Sequence, residues 1–250
     1  MPAQAPMPPQ APGPPSGAHP PAPPPPTGAT LPGEQAERTA SVFIILDPAH
    51  GGADSGAHGN PEEEGAAVEK DLVLQIAQGM RRELERLGAR VVLTRQADVA
   101  VSMDDRAALA NAYSLDFFVT LHVGSTGTPN TAVAYSYGAP PGGAPPVMLP
   151  RPAAFTGVRW DEAQSAYLVA SRRLAELLQV ELAQKLPGSP DVPQFAEVRQ
   201  LRVVARPAVA VELASVAEDN AQSLARTAVP LADALLRAIA AYRQSAGARP

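Results

Sequence analysis

The chain has 250 residues, of which 45% are apolar, so it is long enough to bury one sizeable hydrophobic core. Its formal net charge is -5 and its lysines and arginines are scattered, which argues against nucleic acid as a partner. There are no cysteines, which excludes disulfides and thiolate zinc sites, and no stretch approaches the roughly 18 apolar residues of a membrane span.

Residues 1–40 differ in composition from the rest of the chain. They hold 14 of the 29 prolines and no Lys or Arg before Arg38. Such a segment has too little apolar surface to fold, so we expect a disordered, Pro-rich tether. It lacks the basic and apolar regions of a secretory signal peptide. Three explanations stay open: export by a route not visible here, a true start farther upstream, or a protein that stays inside the cell. The folded domain is predicted over residues 41–246, with a short disordered tail at 247–250.

The first predicted element is a buried strand at residues 42–46 (VFIIL), which Pro48 and the glycine pair at 51–52 bring to an end. His50 lies on the loop just past the carboxyl end of this strand, where open α/β sheets bind ligands. A histidine at that place is a candidate metal ligand or acid/base group. A turn histidine that faces water explains the pattern equally well.

A helical pattern begins at Glu69 and is brought to an end by Gly88. Its apolar face is predicted to consist of Leu72, Ile76, Met80, Leu84 and Leu87. Glu69 and Asp71 fall in the first turn, where carboxylates complement the helix dipole. Because that turn is rigid, Glu69 can instead point back toward the His50 loop.

The remaining elements alternate between strands and helices, which predicts an α/β fold with a largely parallel sheet. Further strands are predicted at 89–94, 115–123, 131–137 and 207–213, and further helices at 102–113, 161–186, 218–226 and 229–243. Residues 195–204 are ambiguous and admit a short strand. Residues 138–160, rich in Pro and Gly and ending at the only tryptophan, Trp160, are predicted to form an irregular insertion near the site.

Two further polar side chains end predicted strands. A lone histidine such as His122 is more often structural than a ligand, but a second histidine at the same sheet edge strengthens the metal-site interpretation. Glu212 lies in an apolar strand, where a carboxylate is costly unless it is paired, metal-bound or at the strand's end. The alternative is that Glu212 is the first exposed residue past the strand. His19 and His58 lack a comparable scaffold.

Four side chains are therefore expected at one edge of the sheet: His50, Glu69, His122 and Glu212. Two imidazoles and one carboxylate form a ligand set typical of hydrolytic zinc sites, which leave a fourth position for water. Zinc lowers the pKa of that water to about 7 and polarises a carbonyl, and a second carboxylate can pass the proton to a leaving amine. No compact HExxH-type signature is present, so this prediction depends on three strand ends and a helix start converging.

The order of the motifs DPAHGG, VEKD, VTLHV and PAVAVEL resembles the zinc-dependent N-acetylmuramoyl-L-alanine amidases of the type 3 family. The sequence VVLTRQAD at 91–98 and the helix around residues 105–107 are similar to the family as well, and the similarity covers about residues 42–243. The resemblance implies a single α/β domain with a mostly parallel sheet of about six strands flanked by helices. It implies that Zn2+ is bound by His50, Glu69 and His122. It also implies that Glu212 is the catalytic acid/base and that Arg202 contacts the substrate.

The resemblance also implies an activity and a location. The activity is hydrolysis of the amide between N-acetylmuramic acid and the L-alanine of peptidoglycan stem peptides, in the periplasm or extracellular envelope of a bacterium. Peptidoglycan is then the substrate, and the tail at 1–40 or the insertion at 138–160 is a candidate site for a regulatory partner. Two alternatives stay open: a non-catalytic peptidoglycan-binding or regulatory module that kept the fold, and a zinc exopeptidase of another family.

The chain departs from the family pattern in three places. Ala49 stands where a glycine usually precedes the first histidine, Val123-Gly124 replaces Ala-Asn or Ala-Asp, and residues 213–217 read LASVA instead of Gly-Phe-[Ile/Leu]-Ser-Asn. The last of these departures motivates the non-catalytic alternative.

The distance from the first histidine to the ligand glutamate is longer than usual by several residues. Glu64 is therefore an alternative ligand to Glu69. Glu69 is preferred because Lys70-Asp71 and the helix follow it directly.

Overall fold

The structure is a computed structural model that describes residues 42–60, 62, 66–112, 116–139, 160–216 and 221–247. Its strands are β1 Phe43–Pro48, β2 Arg90–Leu93, β3 Phe117–Val123, β4 Ala132–Tyr137, β5 Gln194–Ala196 and β6 Ala208–Leu213. Its α-helices are α1 Glu69–Arg86, α2 Met103–Ala112, α3 Leu168–Lys185, α4 Arg199–Arg202, α5 Ala221–Arg226 and α6 Ala228–Gly247. A 3-10 helix at Trp160–Tyr167 leads into α3.

The strands form one sheet in the order β2-β1-β3-β6-β4-β5. All neighbouring pairs are parallel except β4 with β6, which run antiparallel. The predicted α/β class, with a mostly parallel sheet of six strands flanked by helices, is confirmed. In the β3–β6 register His122 pairs with Glu212, so these two residues lie side by side at the carboxyl end of the sheet.

The two faces of the sheet bury different sets of apolar side chains. Ile44 and Leu46 of β1 join the larger core against α1, α3 and α6, whereas Ile45 between them joins a smaller core against α2 and α4. This alternation follows from the two-residue period of a strand. The same alternation puts His122 and Glu212 on the face of the smaller core, because their neighbours Val123 and Leu213 belong to the larger one.

Most predicted elements lie within a few residues of their predicted bounds, with informative exceptions. The predicted face of α1 is buried at Leu72, Ile76, Met80 and Leu84, but Leu87 is 44% exposed because the helix ends at Arg86. The predicted helix at 161–186 starts as the 3-10 turn before it becomes α3. The ambiguous segment at 195–204 contains the short strand β5 and the single-turn helix α4.

Several predictions lie outside the described residues: the tether at 1–40, Glu64, and most of the insertion at 138–160. Among the helices of the described part, none combines the length and apolar character needed to cross a membrane.

Candidate metal centre

The loop after β1 holds His50 in an unusual backbone conformation. His50 has φ 61°, in the left-handed region that few residues other than glycine adopt. Ala49, where the family pattern has glycine, is fully buried and has an ordinary φ, and its N–H donates to the Leu121 carbonyl at 3.2 Å. The strained position is therefore His50 itself, whose ring is turned toward the start of α1.

Glu69 is the first residue of α1 and is only 5% exposed. Its Oε2 accepts a hydrogen bond from the Ala57 N–H at 2.8 Å, and its Oε1 accepts one from the Val123 N–H at 3.1 Å. Burial by itself raises the pKa of Glu69, but hydrogen bonds with His122, His50 and the Ala57 amide outweigh burial and hold the pKa well below its usual range. Glu69 is therefore a fixed, ionised carboxylate.

The two imidazoles approach the same oxygen of that carboxylate. His50 Nε2 lies 3.2 Å and His122 Nδ1 lies 3.1 Å from Glu69 Oε1, and the candidate ligand atoms of the three residues all lie within 4.8 Å of one another. Two ligand atoms on one tetrahedral zinc ion, each about 2.0–2.1 Å from it, are about 3.3–3.4 Å apart. The three side chains thus have the chemistry and the spacing of a shared metal site.

Space for this cluster depends on Gly56, which has φ 67°. A Cβ at this position would lie 2.5 Å from Glu69 Oε2 and 2.7 Å from His50 Cδ2. A side chain there would push the carboxylate and the imidazole apart, so glycine is required both by the backbone conformation and by the cluster.

Glu212 lies beside the cluster without being part of it. It lines a cavity of about 390 Å³ whose walls also include Glu69, His122, Tyr135 and Gln200. Because neighbouring strands are about 4.8 Å apart, the paired positions of His122 and Glu212 bring this second carboxylate next to the cluster. The Glu212 side chain is partly exposed and forms part of the wall of this cavity.

Two buried arginines hold the carbonyl groups of the β1–His50 segment. Arg106 donates to the carbonyls of Pro48 and His50 at 3.0 and 2.7 Å and forms an ion pair with the fully buried Asp47. Arg95 donates to the Pro48 carbonyl at 2.9 Å, to that of Ala49 at 2.8 Å, and to that of Lys70 in α1. The segment that carries His50 is thereby tied to both α1 and α2.

Sequence reasoning missed three neighbours of the cluster. Asp54 Oδ1 lies 2.9 Å from His50 Nδ1, the carboxylate–histidine arrangement that orients metal-binding imidazoles. The amide nitrogen of Gln200 lies 3.2 Å from His122 Nε2, and Tyr135 lines the same cavity as Glu212. Only Asp54 has a signal in the sequence, since it follows His50 by four residues in the same glycine-rich turn.

The other predicted residues lie elsewhere. Arg202 is the last residue of α4 and is not among the described residues that line the cavity, so its predicted contact with substrate stays a prediction. His58 is outside the cluster, as expected: it pairs with Val68 across a short β-bridge, and its Nε2 lies 2.8 Å from Ser55 Oγ.

Three comparisons relate this chain to known proteins. It is 44% identical over 88 residues to the sporulation-specific N-acetylmuramoyl-L-alanine amidase of Bacillus subtilis, a match that covers 34% of this chain and 32% of that protein. It is 40% identical over 100 residues to the N-acetylmuramoyl-L-alanine amidase AmiC of Escherichia coli, covering 40% of this chain and 23% of that protein. The matched segment therefore spans a third or less of either relative.

The structural comparison extends over more of the chain. The N-acetylmuramoyl-L-alanine amidase AmiC2 of Nostoc punctiforme superposes with a TM-score of 0.56 at 25% identity, covering 81% of this chain and 97% of that chain. The sequence model of the Amidase_3 family, described as N-acetylmuramoyl-L-alanine amidase, matches residues 44–241. Because that match takes in most of the chain, the protein belongs to the Amidase_3 family of N-acetylmuramoyl-L-alanine amidases.

Proposed function

We propose that the protein is a zinc-dependent amidase that hydrolyses the bond between N-acetylmuramic acid and the L-alanine of peptidoglycan stem peptides. The observation that carries this proposal is the meeting of His50, Glu69 and His122 within 4.8 Å, with the separate carboxylate of Glu212 in the adjoining strand position. Membership of the amidase family supports the choice of bond.

In this proposal the three clustered residues hold the ion, since two imidazoles and one carboxylate leave a fourth position for water or substrate. Bound zinc supplies Lewis acidity, which lowers the pKa of water and polarises the scissile carbonyl. Asp54 fixes the orientation of the His50 ring. The buried, ionised state of Glu69 keeps it available as an anionic ligand rather than as a proton carrier.

Glu212 is the proposed acid/base. Its carboxylate accepts the proton of the attacking water and donates it to the nitrogen of the departing alanine, which leaves as a neutral amine. This role suits Glu212 because its side chain lines the cavity. In the described hydrogen bonds it is not a partner of His50, Glu69 or His122. Arg202, on the helix that carries Gln200, is proposed to contact the substrate.

The experiment is a digest of purified peptidoglycan with the zinc-loaded full chain, followed by mass analysis of the released fragments. Stem peptides with a free L-alanine amino group are expected. Glu212→Gln should reduce their release to a small residual rate while zinc content is unchanged, and His50→Ala should lose both. Glu181→Gln is the control: it removes a carboxylate from helix α3, on the opposite face of the sheet, and should behave as wild type.

Other outcomes would favour other functions. Bound zinc without release of any fragment would support the non-catalytic wall-binding module, which the altered sequence of residues 213–217 and the Pro-rich segment at 1–40 motivate. Products cut within the stem peptide would instead indicate an exopeptidase.

With the proposed substrate the site of action is the bacterial cell envelope, outside the cytoplasm. A regulatory partner that binds residues 1–40 or 138–160 also stays a prediction.

A further inference from the structure

Glu212 has a polar neighbour on the adjacent antiparallel strand. Tyr135 of β4 pairs with Ala210 of β6, two residues before Glu212 and on the same face of the sheet. Diagonal neighbours of this kind are about 7–8 Å apart at their Cα atoms, within the reach of a tyrosine side chain. Tyr135 and Glu212 both line the cavity, so the phenol hydroxyl and the carboxylate share the same space.

A second neighbour of the carboxylate is Gly124, a position that has no side chain. A Cβ on Gly124 would lie 2.5 Å from Glu212 Oε1, closer than Cβ atoms approach other heavy atoms. Gly124 follows β3 directly, and its N–H donates to the Leu213 carbonyl at 2.9 Å, so its backbone is fixed against β6. The Glu212 carboxylate occupies the space that a side chain on residue 124 would need.

We infer that the Tyr135 hydroxyl donates a hydrogen bond to the Glu212 carboxylate and so positions the acid/base, in space that Gly124 leaves open. The inference rests on the proposed function for the role of Glu212. One carboxylate oxygen then accepts a hydrogen bond from the Tyr135 hydroxyl, and the other is left for the acid/base role. A carboxylate fixed in this way does not have to be oriented anew in each turnover.

The first test is Tyr135→Phe, assayed with the zinc-loaded full chain on soluble peptidoglycan fragments. Loss of a hydrogen bond to a charged group should lower kcat by about 10-fold or more, with KM and zinc content unchanged. Tyr137→Phe removes a hydroxyl from the same face of the same strand and is the matched control, with kcat near that of wild type. Equal kcat values for the two variants would overturn the inference.

A double-mutant cycle separates positioning from a structural effect. In the Glu212→Gln background Tyr135→Phe should cause no further loss, because the acid/base that it positions is already gone. If Tyr135→Phe lowered the residual rate by the same factor in both backgrounds, Tyr135 would act independently of Glu212. Gly124→Ala offers a third variant: its backbone is not left-handed, so the added methyl should displace the carboxylate and lower kcat while zinc is retained.

A measurement without turnover keeps this inference distinct from the proposed function. Burial raises the pKa of Tyr135, and the charge and hydrogen bond of Glu212 raise it further. Tyrosine ionisation is followed by near-ultraviolet absorbance in wild type and in Glu212→Gln, and the titration of the same protein carrying Tyr135→Phe is subtracted from each. The difference should show Tyr135 ionising at lower pH in Glu212→Gln than in wild type. An unchanged midpoint would refute the contact, even if the enzyme were active. A shifted midpoint in a protein that digests no peptidoglycan would uphold the contact and reject the proposed function.

Discussion

Replacing Arg106 with methionine should destabilise the domain strongly, because it leaves a buried carboxylate without its ionic partner. Arg106 is 4% exposed and Asp47 is fully buried, and the guanidinium also donates to the carbonyls of Pro48 and His50. Removing one partner of a buried ion pair costs about 3–5 kcal/mol. Thr120 still donates to the Asp47 carboxylate at 2.9 Å, so we expect the lower end, about 3 kcal/mol. For a domain of this size that corresponds to a fall in Tm of about 6–12 °C.

The measurement is urea unfolding of the zinc-free protein, so that lost metal binding does not add to the loss of stability. Arg81→Met is the matched control, since Arg81 forms an exposed pair with Glu85 one helical turn away that is worth less than about 0.5 kcal/mol. Adding Asp47→Asn to the Arg106 variant should recover part of the loss, because the uncompensated charge is then removed. If Arg106→Met lost no more than the Arg81 control, the buried pair would not hold the His50 segment.

Three further predictions concern metal binding. Asp54→Asn should weaken zinc affinity by about 10–100-fold by removing the carboxylate that orients His50, as measured by competition with a chromophoric chelator. Gln200→Leu should weaken it by about 10-fold with thermal stability retained, because the Gln200 amide, turned so that its oxygen faces His122 Nε2, accepts the N–H that this ring carries when Nδ1 binds the ion; equal affinity would assign Gln200 to the cavity wall alone. The hydrogen bond with Glu69 is the largest cause that raises the pKa of His50 in the metal-free protein. Since zinc needs the neutral ring, affinity should fall as the pH drops through that raised pKa, at a higher pH than for an ordinary histidine.

The gross arrangement of the site follows from local sequence rules. Strands that alternate with helices become parallel neighbours, and the carboxyl ends of parallel strands share one edge. His50 and His122 each follow or end a short apolar run, so their meeting could be predicted before the structure. Glu69 could be placed near them because the first turn of a helix after a strand returns to that edge.

The partners of these residues could not be predicted in the same way. Tyr135 lies diagonally across from Glu212 through the antiparallel register of β4 with β6, and nothing in the composition of a short strand fixes its direction or register. Gln200 lies on a helix of one turn, too short to give a periodic signal. Arg95 and Arg106 look like surface charges in the sequence, and their burial depends on carbonyl groups contributed by the distant β1 segment.

These buried arginines bear on whether the site forms before the metal binds. In small zinc domains the ligands are unordered without the ion, because nothing else holds the chain. Here Arg95 and Arg106 satisfy the carbonyls of Pro48, Ala49 and His50, and backbone amides hold Glu69, so the loop geometry does not depend on a metal. Chelation should therefore leave the near-ultraviolet circular dichroism of the domain nearly unchanged. It should lower the free energy of unfolding by mass action, by about 2.7 kcal/mol relative to protein in free zinc at 100 times Kd, and Tm should fall accordingly. Loss of the near-ultraviolet signal on chelation would show instead that the ion, and not the guanidinium groups, organises this edge of the sheet.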